Sequence, residues 1–161
     1  GGFWDIRAQV TIGEEPELAD RTFVETELRW RPIDRLRVDT SVLSTDLEDR
    51  EGRGTIFTNR IVRSRWNYQF TKEMSLRVIV QHEETDPTSL SRLTSEENLN
   101  LDVLFRYVLN PWSALYVGYN NNESNLQLVE NEDGTTEIVR SEDLARDGQQ
   151  LFVKFSYLWQ P

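Results

Sequence analysis

The side chains that could perform acid–base chemistry are few and lie close together. His82 is the only histidine of the chain, and Glu83, Glu84 and Asp86 follow it. A histidine oriented by a carboxylate can activate water or a hydroxyl nucleophile. His82, however, has the parity of the apolar residues in its segment, and no second histidine could complete another site. We therefore predict that the protein is not an enzyme and that His82 is an exposed side chain near a rim.

Metal, thiol and phosphate chemistry have even less support. The chain has no cysteine, which excludes disulfides, thiol nucleophiles and thiolate metal ligands. Asp46, Glu48 and Asp49 offer carboxylate oxygens of the kind that calcium prefers, but no run matches an EF-hand-type calcium loop. No glycine-rich segment is suited to hold phosphate. We expect no metal and no cofactor.

Charged side chains recur at alternate positions through most of the chain. The set comprises Arg7, Glu25, Glu27, Arg29, Arg31, Arg35, Arg37, Asp39, Arg63, Arg65, Arg77, Asp102, Arg106 and Lys154. Basic residues predominate in it, although the whole chain carries a formal net charge of −10. The negative charge is therefore concentrated elsewhere, in the segments between the alternating stretches.

The elements that position these charges are predicted to be strands. Eight segments alternate apolar and polar residues with a period of two, which is typical of strands with one apolar face. Around Leu28 and Trp30, for example, the intervening residues are Glu27, Arg29 and Arg31. The predicted strands are residues 3–13, 21–32, 34–47, 54–70, 73–85, 96–109, 112–122 and 148–160. The pattern predicts an all-β antiparallel protein whose charged set lies on one face.

The connections between the predicted strands alternate in length. Short turns are expected at residues 31–34, 70–73 and 110–111, and longer acidic links at 13–20, 45–54, 83–97 and 120–149. Asp133-Gly134 in the last link suggests a hairpin there. Bacterial outer-membrane barrels have short periplasmic turns and longer extracellular loops. The alternation therefore favours a transmembrane β-barrel.

Composition agrees with a barrel and excludes two other classes. The longest uncharged stretch, residues 107–122, contains a proline, a glycine and four asparagines, so no segment suits a transmembrane helix. An overall apolar content of 37% is compatible with barrel strands, which place only every second side chain in lipid. The acidic balance argues against nucleic acid as a partner, because phosphate contacts need a basic face.

Aromatic residues gather near the predicted short turns. The residues concerned are Trp30, Trp66, Tyr68, Tyr107, Trp112, Tyr157 and Trp159. Aromatic side chains with a polar edge prefer the boundary between lipid and water. We predict that these residues form an aromatic girdle at the periplasmic boundary.

The role of the charged set depends on the size of the barrel. Eight strands that close on themselves leave room only for side chains, so the charges would form a paired, hydrogen-bonded network. In a wider barrel the same residues would line a wet basic wall that favours anionic solutes. The residue pattern leaves both arrangements open.

Several strands also resemble those of a known family. Residues 66–71, 76–81, 107–111, 115–119 and 151–158 are similar to the C-terminal barrel region of an uncharacterised bacterial outer-membrane family. Its large members carry a carbohydrate-binding-like β-sandwich module before the barrel. The last strand resembles the C-terminal signal read by barrel assembly machinery, although Gln160 and Pro161 follow the aromatic Trp159. The resemblance implies the end of a longer polypeptide and supplies no catalytic residues.

We therefore expect residues 1–161 to form one outer-membrane β-barrel domain or C-terminal barrel segment. It would be either an eight-stranded meander or the last eight strands of a larger barrel. The expected role is structural, anchoring or surface assembly; the alternatives are a channel for anionic or saccharide solutes and a soluble ligand-binding β-barrel. Expected partners are outer-membrane lipid, lipopolysaccharide, barrel assembly machinery and other surface proteins.

Overall fold

A computed structural model describes residues 19–50, 52, 54–91, 93–130 and 136–158. Within these residues the chain is all-β, and the strands form a single antiparallel sheet. The strands are β1 (Ala19–Ile33), β2 (Leu36–Asp49), β3 (Thr55–Gln69), β4 (Met74–Pro87), β5 (Glu96–Asn110), β6 (Ser113–Glu130) and β7 (Thr136–Tyr157).

The sheet is a meander in which every strand pairs with its neighbours in sequence. Its order is β1-β2-β3-β4-β5-β6-β7, so β1 and β7 each have one partner strand among the described residues. This topology confirms the predicted all-β antiparallel arrangement. The predicted strand 3–13, which includes Arg7, lies outside the described residues.

The connections at the two ends of the sheet differ less than the sequence predicts, because β2 continues to Asp49 and β4 to Pro87, into the predicted links 45–54 and 83–97. At the lower end, tight turns at residues 34–35, 70–73 and 111–112 join the strands. At the upper end, β2 and β3 are joined through Gly52 and Gly54, whose φ angles of 78° and 120° favour glycine. Residues 88–95 join β4 to β5 at the same end.

Two predicted details are wrong. The link predicted for residues 120–149 is mostly strand, because β6 continues to Glu130 and pairs with Thr136 at the start of β7. Residues 126–130 pair with residues 136–140, as the hairpin predicted around Asp133-Gly134 requires, but these segments are continuous with the two long strands. Arg35, predicted on a strand, lies in the tight turn between β1 and β2.

The described part of the sheet has very little core of its own. The buried apolar residues are Ala19, Val38, Leu47 and Ile79, and no described side chain is less than 2% exposed. Among the described residues there is also no helix long and apolar enough to cross a membrane. Neither face of the sheet is covered by a second described layer.

The sheet bends around β6. Cα atoms of β5 and β7 come within 8 Å of each other across β6, although two strand spacings in a flat sheet amount to about 9.6 Å. Gly118 of β6 pairs with Phe152 of β7, and the Phe152 ring occupies the space that a Cβ at Gly118 would need. An aromatic ring over a strand glycine is a common way to pack a curved sheet.

Candidate functional site: the two faces of the sheet

The strand register shows which residues share a face. Directly paired residues of neighbouring antiparallel strands project to the same side of a sheet. On one side, alternate residues are mainly apolar over one stretch of every strand. We call these stretches together the apolar band: residues 24–30, 36–42, 62–68, 74–80, 99–107, 115–119 and 151–157.

The apolar side chains of the band are strongly exposed. Leu28 is 63% exposed, Leu151 70% and Phe155 60%. Soluble monomers rarely expose continuous apolar patches of more than a few hundred Å², and larger patches mark contact with a partner or a membrane. The band continues across all seven strands, so it requires a cover that the described residues do not provide.

Polar side chains at the centre of the band form hydrogen bonds with one another. Thr40 Oγ1 and Ser64 Oγ are 2.9 Å apart across β2 and β3, and Trp66 Nε1 donates to Ser64 Oγ at 2.9 Å. An unpaired hydroxyl or indole N–H would be costly in an apolar medium. This network therefore makes the band compatible with surroundings that contain no water.

The apolar band runs obliquely across the sheet. Trp30, at the lower end of the stretch in β1, belongs to a row of directly paired residues that ends at Leu151, the upper end of the stretch in β7. The row contains Trp30, Val38, Trp66, Val78, Val103, Tyr119 and Leu151. The band thus shifts by six residues, about 20 Å, over six strand spacings, about 29 Å.

This shift corresponds to a strand inclination of about 35° to the normal of the band. Strands of closed barrels, including outer-membrane barrels, tilt by roughly 35–45°. The band would therefore lie at one constant depth if the strands had the tilt that barrel closure requires.

The predicted girdle residues follow the lower edge of the band. Trp30, Tyr68, Tyr107 and Tyr157 are the last residues of their stretches, and Trp66 lies directly above Tyr68. Trp112 lies in the turn below β6, and Trp159 is outside the described residues.

Three of these aromatic residues have close neighbours on the same face of the sheet. Trp30 and Trp66 pair with Val38 from either side, and Val38 is only 7% exposed. The ring of Tyr68 contacts that of Phe70 edge to face, with centroids 4.8 Å apart.

Charged residues mark the upper edge of the band. His82 shares the face of Val62 and Leu99, and its Nε2 lies 2.9 Å from Glu97 Oε1. Arg60 and Glu84 lie directly opposite each other in the strand register on the same face, one position further up. No group of three or more metal-ligating side chains occurs among the described residues. His82 is therefore a half-exposed side chain at the upper edge of the apolar band, within hydrogen-bonding distance of Glu97.

The opposite face carries the charged set. The register places the following predicted residues on it: Glu25, Glu27, Arg29, Arg37, Asp39, Arg63, Arg65, Arg77, Asp102, Arg106 and Lys154. Arg31 belongs to β1, but it falls where the register with β2 shifts. The strands thus bring most of the predicted set together, and we call this side the charged face.

Two ion pairs form within the set, and each joins two residues of the same strand. Arg29 lies 2.9 Å from Glu27, and Arg37 lies 3.0 Å from Asp39. A cleft of about 170 Å³ opens between them on β1, β2 and β3. Asp102 accepts a hydrogen bond from Asn120 at 2.6 Å.

The remaining basic side chains make no ion pair or hydrogen bond with any described residue. They are Arg63, Arg65, Arg77, Arg106 and Lys154, and all five are exposed. The predicted paired network thus exists only in part within the described sheet.

Sequence reasoning missed an amide-rich region on the same face. Asn100 donates to Asn122 Oδ1 at 3.5 Å, and Asn122 donates to Asp147 Oδ2 at 3.2 Å. A cleft of about 330 Å³ there is lined by Gln81, Glu83, Asn98, Asn100 and Asn122. The recurrence of asparagine at alternate positions of β5 and β6 was the signal in the sequence.

Comparisons of the chain with family models, curated proteins and solved structures found no match.

Proposed function

We propose that this chain forms the wall, or part of the wall, of a β-barrel in a bacterial outer membrane. The oblique apolar band is the observation that carries the proposal. Lipid chains contact the band, the charged face points to the barrel interior, and the upper hairpins project from the cell surface. The role is structural or anchoring, and membrane lipid, lipopolysaccharide and barrel assembly machinery are the proposed partners.

Among the described residues, the sheet has no second layer that covers either of its faces. A single sheet with both faces exposed cannot bury enough apolar surface to offset the conformational entropy lost on folding. Lipid supplies a cover for one face, and closure of the barrel removes the free edges of β1 and β7. Closure requires further strands, either the predicted strand 3–13 or strands of a longer polypeptide that the family resemblance implies.

A soluble ligand-binding barrel, the alternative to a membrane barrel, would require the opposite orientation of the two faces. A soluble ligand-binding barrel would turn its aromatic and aliphatic residues inward and its charges to water. The exposed aromatic residues would then have to be spread through an interior. Their position along one edge of the band favours the membrane instead.

A channel for anionic or saccharide solutes is the second candidate function. The five basic side chains that make no ion pair with a described residue favour it, because buried charges without an ionic partner are stable only where water solvates them. The amide-rich region on the same face offers donors and acceptors suited to hydroxyl groups.

Refolding of the chain into detergent and lipid vesicles tests the proposed membrane location. We expect a species that migrates differently on gels before and after heating and that floats with vesicles in a density gradient. A chain that stays soluble without detergent and does not float with vesicles would contradict the proposal.

A matched pair of variants tests which face contacts lipid. Leu101 lies on the apolar band and Asn100 on the charged face of the same strand. Leu101→Arg should lower the free energy of unfolding in vesicles by about 2 kcal/mol, since an arginine there faces hydrocarbon. Asn100→Arg should change it by less than about 0.5 kcal/mol. Equal effects of the two substitutions would contradict the assignment of the faces.

A further inference from the structure

The charges on the charged face are not balanced at the depth of the apolar band. Within the stretches that define the band, seven basic side chains lie on this face: Arg29, Arg37, Arg63, Arg65, Arg77, Arg106 and Lys154. Four acidic side chains lie there: Glu25, Glu27, Asp39 and Asp102. Even if each of these four acids were paired with one of these bases, three of the seven basic groups would remain without a carboxylate within the described stretches.

Six of the seven basic groups lie at or below the midpoints of their stretches, whereas the acidic groups lie at or above them. Arg65, Arg77 and Lys154 lie at the midpoints of their stretches, 62–68, 74–80 and 151–157. Arg29, Arg37 and Arg106 each lie one residue above the lower end of theirs. The four acids lie at or above the midpoints. These six basic residues therefore slant with the band, and we call them the basic belt.

A belt at constant depth has a physical consequence in a tilted sheet. Because the strand tilt that levels the apolar band also levels the basic belt, its guanidinium and ammonium groups would encircle the interior between mid-depth and the lower edge. Rings of arginine and lysine select anions in pores. Guanidinium groups bind carboxylate and phosphate oxygens particularly well, through paired N–H donors.

The excess of basic groups also bears on the width of the interior. In an eight-stranded barrel filled with side chains, three basic groups without carboxylates would be buried at a cost of several kcal/mol each. Water around the belt removes this cost. The charge balance thus favours a wider, water-filled interior over a closed and dry one.

We infer that the basic belt is a binding ring for small anions, carboxylates or phosphates, on the wall of a water-filled passage. The inference rests on the proposed membrane location. Solutes that enter from the side of the long hairpins would pass the amide-rich region and the acidic groups first. They would then reach the belt near the side of the short turns.

Ion selectivity in planar bilayers tests the belt. The chain is reconstituted, a KCl gradient is imposed, and the reversal potential gives the ratio of chloride to potassium permeability. We expect chloride preference, and we expect inorganic phosphate to reduce the chloride current. Removal of one charge about 7 Å from the ion path in water changes the local anion occupancy about threefold, so Arg65→Gln should lower the permeability ratio by at least that factor.

Arg60 is the matched control for Arg65. It lies on the same strand, is also exposed and makes no ion pair with a described residue, but it belongs to the opposite face. Arg60→Gln should leave the permeability ratio unchanged. Equal effects of the two substitutions, cation preference, or an inserted but electrically silent protein would each overturn the inference. Silence together with vesicle flotation and heat-modifiability would leave the membrane location standing, whereas failure to float would refute both.

Discussion

At the scale of single residues, Gly118 and Phe152 lie in close contact on the charged face. The Phe152 ring lies where a Cβ of residue 118 would be, so any larger residue at this position would have to displace the ring. The glycine therefore allows the close packing of the ring of β7 over β6.

Gly118→Ala should accordingly destabilise the folded protein. The added methyl group displaces the Phe152 ring, and overpacking of this kind costs about 1–3 kcal/mol. Urea unfolding in vesicles, followed by tryptophan fluorescence, measures the change. Phe152→Ala should remove most of the penalty when it is combined with Gly118→Ala.

Gly148 serves as the control for Gly118. No atom lies within 4 Å of a Cβ built at Gly148, so Gly148→Ala should be close to neutral. If the two glycine substitutions had the same effect, or if Phe152→Ala failed to rescue Gly118→Ala, the packing account would be wrong.

Single residues also show what the alternation of residue types in the sequence can predict. Parity alone placed Arg65 and Arg77 on one face and Val78 and Trp66 on the other, and the register agrees. The partners of the charges were not predictable, because a long side chain reaches several neighbours and only the register brings these together. Arg29 therefore pairs with Glu27 along its own strand, although Asp39 lies directly opposite it.

At the scale of elements, the β6–β7 hairpin extends farthest beyond the apolar band. The band ends at residue 119 in β6, yet the strand continues to Glu130, so about 35 Å of strand lies above it. The other strands extend above the band by five to seven residues, except β5, by three. In the proposed membrane location, the upper part of β6 and β7 would therefore lie outside the lipid.

Removal of this projecting hairpin should leave folding and vesicle insertion intact. Deletion of residues 123–147 joins Asn122 to Gly148 and leaves Asn121 and Gln149 as the closing pair. Asn-Gly is the preferred two-residue connection of a tight hairpin. Vesicle flotation and heat-modifiability measure the result, and both should match the intact chain.

Loss of insertion in this deletion variant would show that the hairpin is needed for the barrel itself. Deletion of residues 75–105, which removes most of β4 and β5 from the band, provides the comparison. That variant should not insert, because it leaves a gap in the paired sheet.

Element boundaries were predictable where the alternation was continuous. β3 was predicted as residues 54–70 and spans Thr55–Gln69. β6 and β7 were predicted too short, because the alternation around residues 126–129 and 136–139 is brief and its link to the lower strand is interrupted by register shifts. The pairing continues through shifts near Glu123 and Ser124, which a periodicity count cannot follow.

At the scale of the whole molecule, the inclination of the apolar band is the feature that supports the proposed membrane location. The sequence shows that each strand contains an apolar stretch, but it does not show how these stretches align between strands. The inclination appears only when the pairing register aligns the stretches, because Trp30 and Leu151 share a row although they lie at opposite edges of the band. The sequence therefore predicted the faces, while the tilt and the depth of the basic belt required the fold.

The most direct test of this account is the membrane depth of Trp30 and Leu151. The chain contains no cysteine, so Trp30→Cys and Leu151→Cys each provide a unique site for a spin label. Depth in vesicles follows from the relative accessibility of the label to oxygen and to a water-soluble nickel complex, and the side of the membrane follows from reduction of the label by ascorbate added outside the vesicles. We predict that both labels contact lipid, the one at residue 30 near one boundary and the one at residue 151 near the other. Labels near the same side of the membrane, or free access of the nickel complex to both, would contradict the inclined transmembrane sheet.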